Sequence, residues 1–557
     1  MPAYSIGIDF GTESGRALLL DLESGREVGV SQVAYANGAI DRALPGSGER
    51  LPPDWALQDP DDWVTVVDRG VPDLLSRAGA AGEEVVGIGI DFTACTPLPV
   101  DAEGVPLCTL SEWRSRPHSW PKLWKHHAAQ PIADRLNEVA AERGEDFLSR
   151  YGGKLSSEWY FPKLIELWRE DREIYDAADA FVEAADWIVW HLTGNEVRNA
   201  CTAGYKACWS QDEGFPSREY FESAYPGFSD PIEKLGTEFA PLGSAAGTLR
   251  PELAERLGLP ARTAVAVGNV DSFVSVPGAG VEQPGTYVMV VGTSICDMVI
   301  DRSEVRLPGI TGVARDGILP GFFGYEAGQT AVGDMLAWFV TELAGGREGG
   351  EDAYLAFERE AAQLRPGETG LVALDWWNGN RTILADADLT GVIAGLTLQS
   401  TEPEIYRALA ESIAFGNRRI MENFEEHGLR LGEIVACGGI AEKSPMIMQL
   451  IADTSGRSVR VPESTQIPAR GAALFGAVAG GAFANIESAV AATRPEIARS
   501  YEPDPEAGSI YDEVYAVYRE LYETLGRSQV EILHRLKRTR AGGPASRTLE
   551  DPEEALR

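Results

Sequence analysis

Short apolar runs, broken by glycine and hydroxyl residues, predict strands at three places along the chain. Residues 5–21 read SIGIDFGTESGRALLLD and residues 286–301 read TYVMVVGTSICDMVID. Each is an apolar strand, a Gly-Thr turn closed by Ser, and a second apolar strand ending in Asp. Residues 85–100, VVGIGIDFTACTPLPV, read as a strand, a polar turn and another strand. The first two copies lie half a chain apart, the mark of an internal duplication that folds as two similar α/β domains facing one another. Elsewhere the apolar period lengthens to that of helices. These are expected at 123–141 (broken at Pro131), 162–178 and 184–192 in the first half, and at 330–343, 353–364, 402–427, 444–454 and 470–479 in the second. The pattern changes character across 268–285, where a hinge is expected. The expected division is 1–275, 276–540 and a polar, frayed tail over 541–557. The segment 471–483, GAALFGAVAGGAF, is the nearest approach to a membrane-length run. Its Gly and Ala content suits instead a helix pressed closely against a neighbour.

Composition narrows the classes. With 557 residues, 44% apolar, and 13 Trp, the chain can build a large core, which excludes a mostly disordered protein. Acids outnumber bases 85 to 49, a net charge of −36, which argues against an extended nucleic-acid-binding surface. It does not speak against one nucleotide in a local pocket. Only eight of the cations are Lys, and five of those fall between 122 and 206. Such an acid-rich, Lys-poor chain fits either a high-salt cell or simple codon bias. There is no leader-like or membrane-length segment. Six Cys without a CxxC and six His without an HExxH leave no zinc or disulfide framework. The expectation is a cytoplasmic enzyme with reduced thiols and neither membrane nor nucleic-acid partners. Whether copies associate as a homo-oligomer is left open.

Four stretches carry candidate chemistry. In Asp9-Phe10-Gly11-Thr12-Glu13-Ser14-Gly15-Arg16 a strand delivers Asp9 to a tight turn with exposed N–H groups and two hydroxyls, a nest for phosphate oxygens. Arg16 can pair with a phosphate and Asp9 can hold a hydrated Mg²⁺. An ordinary hairpin turn is the plain alternative for this stretch alone. The second Gly-Thr turn, Gly292-Thr293-Ser294, makes a two-loop clamp on one polyphosphate the sharper reading. The third stretch, VACGGI at 435–440, ends a strand on Gly438-Gly439, where backbone can lie flat against an adenine or ribose. A strand-to-helix turn needs Gly anyway, so order and spacing are what give it weight. The fourth, Gly268-Asn269-Val270-Asp271-Ser272, puts an Asp between the two halves, where a base must sit to accept a hydroxyl proton in phosphoryl transfer. A helix N-cap is the alternative role for Asp271.

These blocks, in this order, closely resemble the FGGY carbohydrate kinases. The resemblance implies an α/β fold of two duplicated ribonuclease-H-like domains, of the actin, sugar kinase and Hsp70 type, with a cleft between them. It covers roughly residues 5–530, and GVIAGLTLQSTEPEIYRALAE at 391–411 resembles the family's C-terminal signature. Three further blocks resemble the branch of the family that phosphorylates L-ribulose. They are DFTACTPLPVD at 91–101, LWKHHAAQ at 123–130, and the stretch 151–209 with GGKLSSEWYFPK, EAADWIVWHLTG and CTAGYKACW. Position by position, the resemblance implies that Asp271 is the catalytic base and Asp9 the Mg²⁺-linked acid. Gly11, Thr12, Ser14 and Arg16 match the first phosphate loop, Gly292 and Thr293 the second, and Gly438 and Gly439 the adenosine loop. Where related kinases carry Asn, this chain has Lys443 followed by Ser444. The comparable region of many relatives is Trp-x-Asp-x-Arg; here it reads Glu112-Trp113-Arg114-Ser115-Arg116. The implied activity is ATP- and Mg²⁺-dependent phosphorylation of L-ribulose at its 5-hydroxyl, in arabinose use.

A ketopentose presents a carbonyl and four hydroxyls, which need fixed partners. Lys206, a lysine kept in an Arg-preferring chain, is one candidate, and Glu326, set among Gly, Tyr and Ala, is another. The turn at 91–96 supplies backbone donors around Ala94. The plain alternatives are a solvated Lys on a hairpin and an N-cap acid before a helix at Thr330. If Lys206 and Glu326 both contact the sugar, the sugar bridges the two halves. His126 and His127 read as more structural than ligating, and the aromatic residues at 120, 124, 159, 160, 187 and 190 as core. The rival readings are a kinase for xylulose, D-ribulose or ribitol, a non-catalytic actin- or Hsp70-like ATPase, and an inactive sugar sensor.

Overall fold

The computed structural model describes residues 3–228, 232–344 and 351–541. Two mixed sheets organise it. The first contains β1 (Tyr4–Phe10), β2 (Ser14–Asp21), β3 (Glu27–Ala34), β4 (Val85–Phe92), β5 (Ala245–Thr248), β6 (Ala264–Ala266) and β7 (Asn269–Val270), in the order β3-β2-β1-β4-β6-β5, with β7 paired to the end of β4. The second contains β8 (Thr286–Val291), β9 (Ile295–Asp301), β10 (Gly312–Arg315), β11 (Phe323–Gln329), β12 (Glu433–Cys437), β13 (Val459–Pro462) and β14 (Ile497–Tyr501), in the order β10-β11-β9-β8-β12-β13-β14. In both, an antiparallel hairpin is followed by a parallel partner for its first strand: β1 lies between β2 and β4, and β8 between β9 and β12. The duplication expected from the two Gly-Thr hairpins is thus present in the strand order itself.

The third strand-turn-strand stretch behaves differently. β4 joins the first sheet, but Pro97–Val100 leaves it and pairs with Ala180–Glu183 in a separate ribbon. Several helix boundaries also differ from the expected ones. Pro131 does not break a helix; it occupies the first turn of Gln130–Arg143, where its missing N–H costs nothing. The run 162–178 divides into Tyr160–Glu170 and Arg172–Ala177, because Asp171 turns its side chain to the Ile174 N–H and starts a new helix. Helix Glu402–Glu426 lies where periodicity placed it, opened by a Thr401/Glu404 capping box. The frayed tail expected beyond 541 lies outside the described residues.

Strand alternation divides the core. On β1, Ile6, Ile8 and Phe10 face one side and pack with Trp63, Val67 and Ile188. Ser5, Gly7 and Asp9 face the other. There the helix Ile467–Ala479, from the far end of the chain, lies directly on the sheet. A Cβ on Gly7 would sit 1.7 Å from the Ala469 carbonyl oxygen, and one on Gly89 of β4 1.7 Å from that of Ala472. The Ser5 hydroxyl donates to the Ala473 carbonyl at 2.6 Å. The small-residue run is therefore a helix pressed on a neighbour, and the neighbour is the other half of the molecule. The same helix crosses Asp271–Gly278, where Gly471 allows it to approach the Val274 carbonyl. The expected hinge at 268–285 contains this helix crossing. Leu18, Phe273, Val288, Met298 and Phe475 join the two halves in one shared core.

Candidate active site

The two Gly-Thr turns are built alike. Gly11 N–H donates to the Ser14 carbonyl at 3.1 Å, and Gly292 N–H to the Ser294 carbonyl at 2.9 Å. The first is braced from below. Gln58 donates to the Thr12 carbonyl at 2.9 Å, Trp124 Nε1 to Thr12 Oγ1 at 3.1 Å, and Gln32 to Ser14 Oγ at 3.2 Å. Trp124 is thus a support of this turn, whereas Trp120, Trp159, Tyr160 and Trp187 are core. The second turn is held by the Val332 and Gly333 N–H groups, which donate to the Thr293 and Gly292 carbonyls, leaving Thr293 exposed. β12 runs parallel to β8 with Cys437 beside Val290, so Gly438 follows alongside Val291 and the Gly292 turn. Gly438 has φ 94°, and a side chain there would strike the Val291 carbonyl. Gly439 is exposed with open space around it. Lys443 is exposed at the end of the short helix that follows, and Ser444 caps the next helix while bonding Glu358.

Asp9 lies near the end of β1, 7% exposed, and accepts a bond from Arg16 Nη1 at 3.1 Å. Arg16 is Asp9's cross-strand neighbour, so in this state its guanidinium serves the carboxylate. On Asp9's other side stands Asp91 of β4, in register and fully buried. The two carboxyls belong to directly paired positions on neighbouring strands. Burial raises both, and the Asp9 and Asp271 charges push Asp91 well above the carboxylate range. Two neighbouring buried carboxylates repel one another unless a positive charge offsets them. Oxygen donors of this kind fit a hard, hydrated divalent ion.

Asp271 is not an N-cap. Val270 holds that position, and Asp271 is the first residue of its helix, with Oδ1 accepting from the Ser272 N–H at 2.6 Å. Burial pushes its carboxyl up to about 7, helped by the Asp9 and Glu326 charges and opposed by the Ser272 N–H and Lys206.

Neither plain alternative holds for the two charges proposed for the sugar. Lys206 ends the helix Ala200–Lys206, which Asn199 caps, and Glu326 sits in the middle of β11. They meet directly, Nζ to Oε2 at 2.7 Å, with side chains 7% and 8% exposed. The ion pair itself joins the two halves. Burial works against the Lys206 charge, and Glu326 overrides it, raising the ammonium's pKa.

Ala94 lies in the 93–96 turn, half-buried. Three bonds fix that turn: Thr93 N–H to the Phe10 carbonyl, Thr96 N–H to Glu183, and Lys163 Nζ to the Cys95 carbonyl at 2.6 Å. Lys163 also donates to the Leu123 carbonyl at 2.9 Å. Beside it, Lys122, Glu166 and His126 form a buried cluster, with Glu166 2.7 Å from Lys122 and 2.9 Å from His126. Burial and the Lys122 charge lower His126 to about 3, so it is a neutral structural histidine. Two residues near these groups had no sequence signal of their own: Asp91, passed over as part of a backbone turn, and Arg381. Arg381 lies where the charges of Glu158 and Glu326 act on it, on a loop held to β11 by the Gly328 N–H donating to Thr382 Oγ1.

Paired phosphate-type turns, a Gly-Gly strand end and an interdomain carboxylate on duplicated sheets define a two-domain phosphotransferase. Residues 4–278 match the N-terminal domain of the FGGY family of carbohydrate kinases and residues 287–480 its C-terminal domain; the chain belongs to this family. It is 48% identical over 96% of its length to a ribulokinase of Geobacillus thermodenitrificans, covering 96% of that protein. It is 44% identical to a ribulokinase of Mycolicibacterium smegmatis, covering 98% of each chain. In fold it is similar to the crystal structure of xylulose kinase from Rhodospirillum rubrum, with TM-score 0.77, 23% identity, and 95% and 100% of the two chains covered. It is likewise similar to Plasmodium falciparum glycerol kinase with ADP, with TM-score 0.74, 16% identity, and 93% and 98% covered. All six cysteines are unpaired, and among the described residues no helix is long and apolar enough to cross a membrane.

Proposed function

We propose that this carbohydrate kinase transfers the γ-phosphoryl group of ATP to the 5-hydroxyl of L-ribulose, with Asp271 as general base. The observation that carries the reading is Asp271 itself. Its carboxyl is held at about 7 beside the Lys206–Glu326 pair, in a chain whose relatives at 44% to 49% identity are ribulokinases. A base poised near neutrality takes the hydroxyl proton as the phosphoryl group arrives. Lys206 offers a compact donor and Glu326 an acceptor to the sugar, and the rigid turn at Ala94 presents backbone to it. Arg381 supplies a second cation on the Glu326 side. The turns Gly11–Ser14, with Arg16, and Gly292-Thr293 hold the phosphates. Gly438 and Gly439 form a flat wall for the adenosine, with Lys443 at its edge. Mg²⁺, when bound, neutralises charge on the β- and γ-phosphates, and Asp9 would hold it through its waters. Catalysis here is positioning and electrostatics.

The test is ADP release measured against L-ribulose, D-ribulose, xylulose, ribitol and no sugar. L-Ribulose is expected to give the highest kcat/KM. A higher value for another acceptor would move the substrate, and equal ADP release without sugar would remove the kinase reading.

A further inference from the structure

The face of the first sheet that looks toward the cleft carries three polar side chains abreast: Asp9 on β1, Asp91 on β4 and Asn269 on β7, in register across neighbouring strands. They continue the row that Gly7 and Gly89 begin, where the helix Ile467–Ala479 touches the sheet. They are thus the first side chains beyond that contact. Asp9 is compensated by Arg16. Asp91 is not. It is fully buried, makes no ion pair among the described residues, and neither of its oxygens has a donor. Asn269 is 1% exposed; its Oδ1 is committed to the Val270 N–H at 2.8 Å, and its Nδ2 has no acceptor. Two orphaned acceptors and an orphaned donor on one buried row are unusual, since buried polar groups are nearly always paired with protein or ordered water.

We propose that Asp91 is the second carboxylate of the nucleotide's divalent-cation site, accepting hydrogen bonds from the cation's water shell alongside Asp9, with Asn269 Nδ2 donating to a further water beside Asp91. Mg²⁺ keeps several waters and is commonly held through one or two carboxylates plus phosphates. Among the described residues no cluster of three or more metal-ligating side chains exists, so water must complete any shell here. Asp91 is then a positioning residue: it fixes the ion's height above the sheet, and so the phosphates' position relative to Asp271. The inference rests on the kinase reading but is separable from it.

The experiment is Mn²⁺ binding to the enzyme–ADP complex, followed by electron paramagnetic resonance of the free ion, in the unaltered enzyme, Asp9→Asn and Asp91→Asn. Loss of an outer-sphere partner typically lowers metal affinity ~10–100-fold. That loss is expected for Asp91→Asn, with ADP affinity in the absence of metal unchanged. Mn²⁺ affinity within twofold of the unaltered enzyme in Asp91→Asn, beside a clear loss in Asp9→Asn, overturns this proposal alone. An unaltered enzyme that holds Mn²⁺ no better than free ADP overturns the cation site and this inference together. Should Asp91→Asn not fold, infrared difference spectra of the unaltered complex on adding Mg²⁺ decide the matter. Two aspartate carboxylate bands are expected to shift, and a single shifted band refutes the role of Asp91.

Discussion

Lys206 and Glu326 form a buried ion pair between the two halves of the chain, and its disruption has a calculable signature. Both side chains are under a tenth exposed and 2.7 Å apart. Removing one leaves the other as an uncompensated buried charge, at a cost of ~3–5 kcal/mol, whereas replacing both with apolar residues of similar volume is often neutral or stabilising. Lys206→Met and Glu326→Leu should therefore each destabilise by about 3–5 kcal/mol, and the double variant should return to within about 1 kcal/mol of the parent. Calorimetric and urea midpoints on the four proteins measure this directly. The same variants carry a kinetic mark. The Lys206 charge lowers the Asp271 carboxyl and the Glu326 charge raises it. The acid limb of kcat/KM should move to higher pH in Lys206→Met and to lower pH in Glu326→Leu. Additive stability losses in the double variant, or limbs that move the same way, would refute the reasoning.

The remaining expectations follow from neighbouring groups. Asp271→Asn should slow turnover ~10²–10⁴-fold with ATP binding nearly intact, as titration of the nucleotide would report. With its carboxyl at about 7, Asp271 is protonated at lower pH, so kcat/KM should fall tenfold per unit below that value and flatten above it. Thr293→Val and Arg16→Ala should weaken MgATP binding more than sugar binding; a change confined to the sugar constant would dismantle the two-loop clamp. His126 contributes stability that is lost on acidification below about 6.5, because it is held near 3 when folded and the unfolded chain takes up the proton first. His126→Gln should reduce the slope of unfolding free energy between pH 6.5 and 5 by up to about 1.4 kcal/mol per unit.

Much of this arrangement was readable from local pattern. A Gly-Thr turn between apolar strands repeats because both sheets use the same hairpin, and Gly438 is needed where β12 passes the Val291 carbonyl. Three of the five lysines retained between 122 and 206 also had a physical reason: Lys122, Lys163 and Lys206 are buried, each committed to a carboxylate or to carbonyls. What escaped depends on register and on distant partners. Nothing local marks Asp91 as a side chain beside Asp9, because that pairing exists only once β1 and β4 align. Residues 97–100 look like the return strand of a hairpin, yet their partner is Ala180–Glu183. The direct Lys206–Glu326 contact escaped for the same reason: it depends on how the halves dock.

The helix Ile467–Ala479 also bears on how the protein is made. The face of β1 and β4 that it covers leaves the ribosome early, and the helix follows about 390 residues behind Gly89. At ~5–20 residues per second, that face waits roughly 20–80 s for its cover. Throughout that interval the nascent chain carries glycine-lined strands with Leu18 and Leu20 unpacked, a surface that another growing chain can occupy. Yield of active enzyme should therefore respond to translation speed and to holding chaperones more than its finished stability suggests, and a message cut short before residue 467 would release a product that cannot close its own sheet.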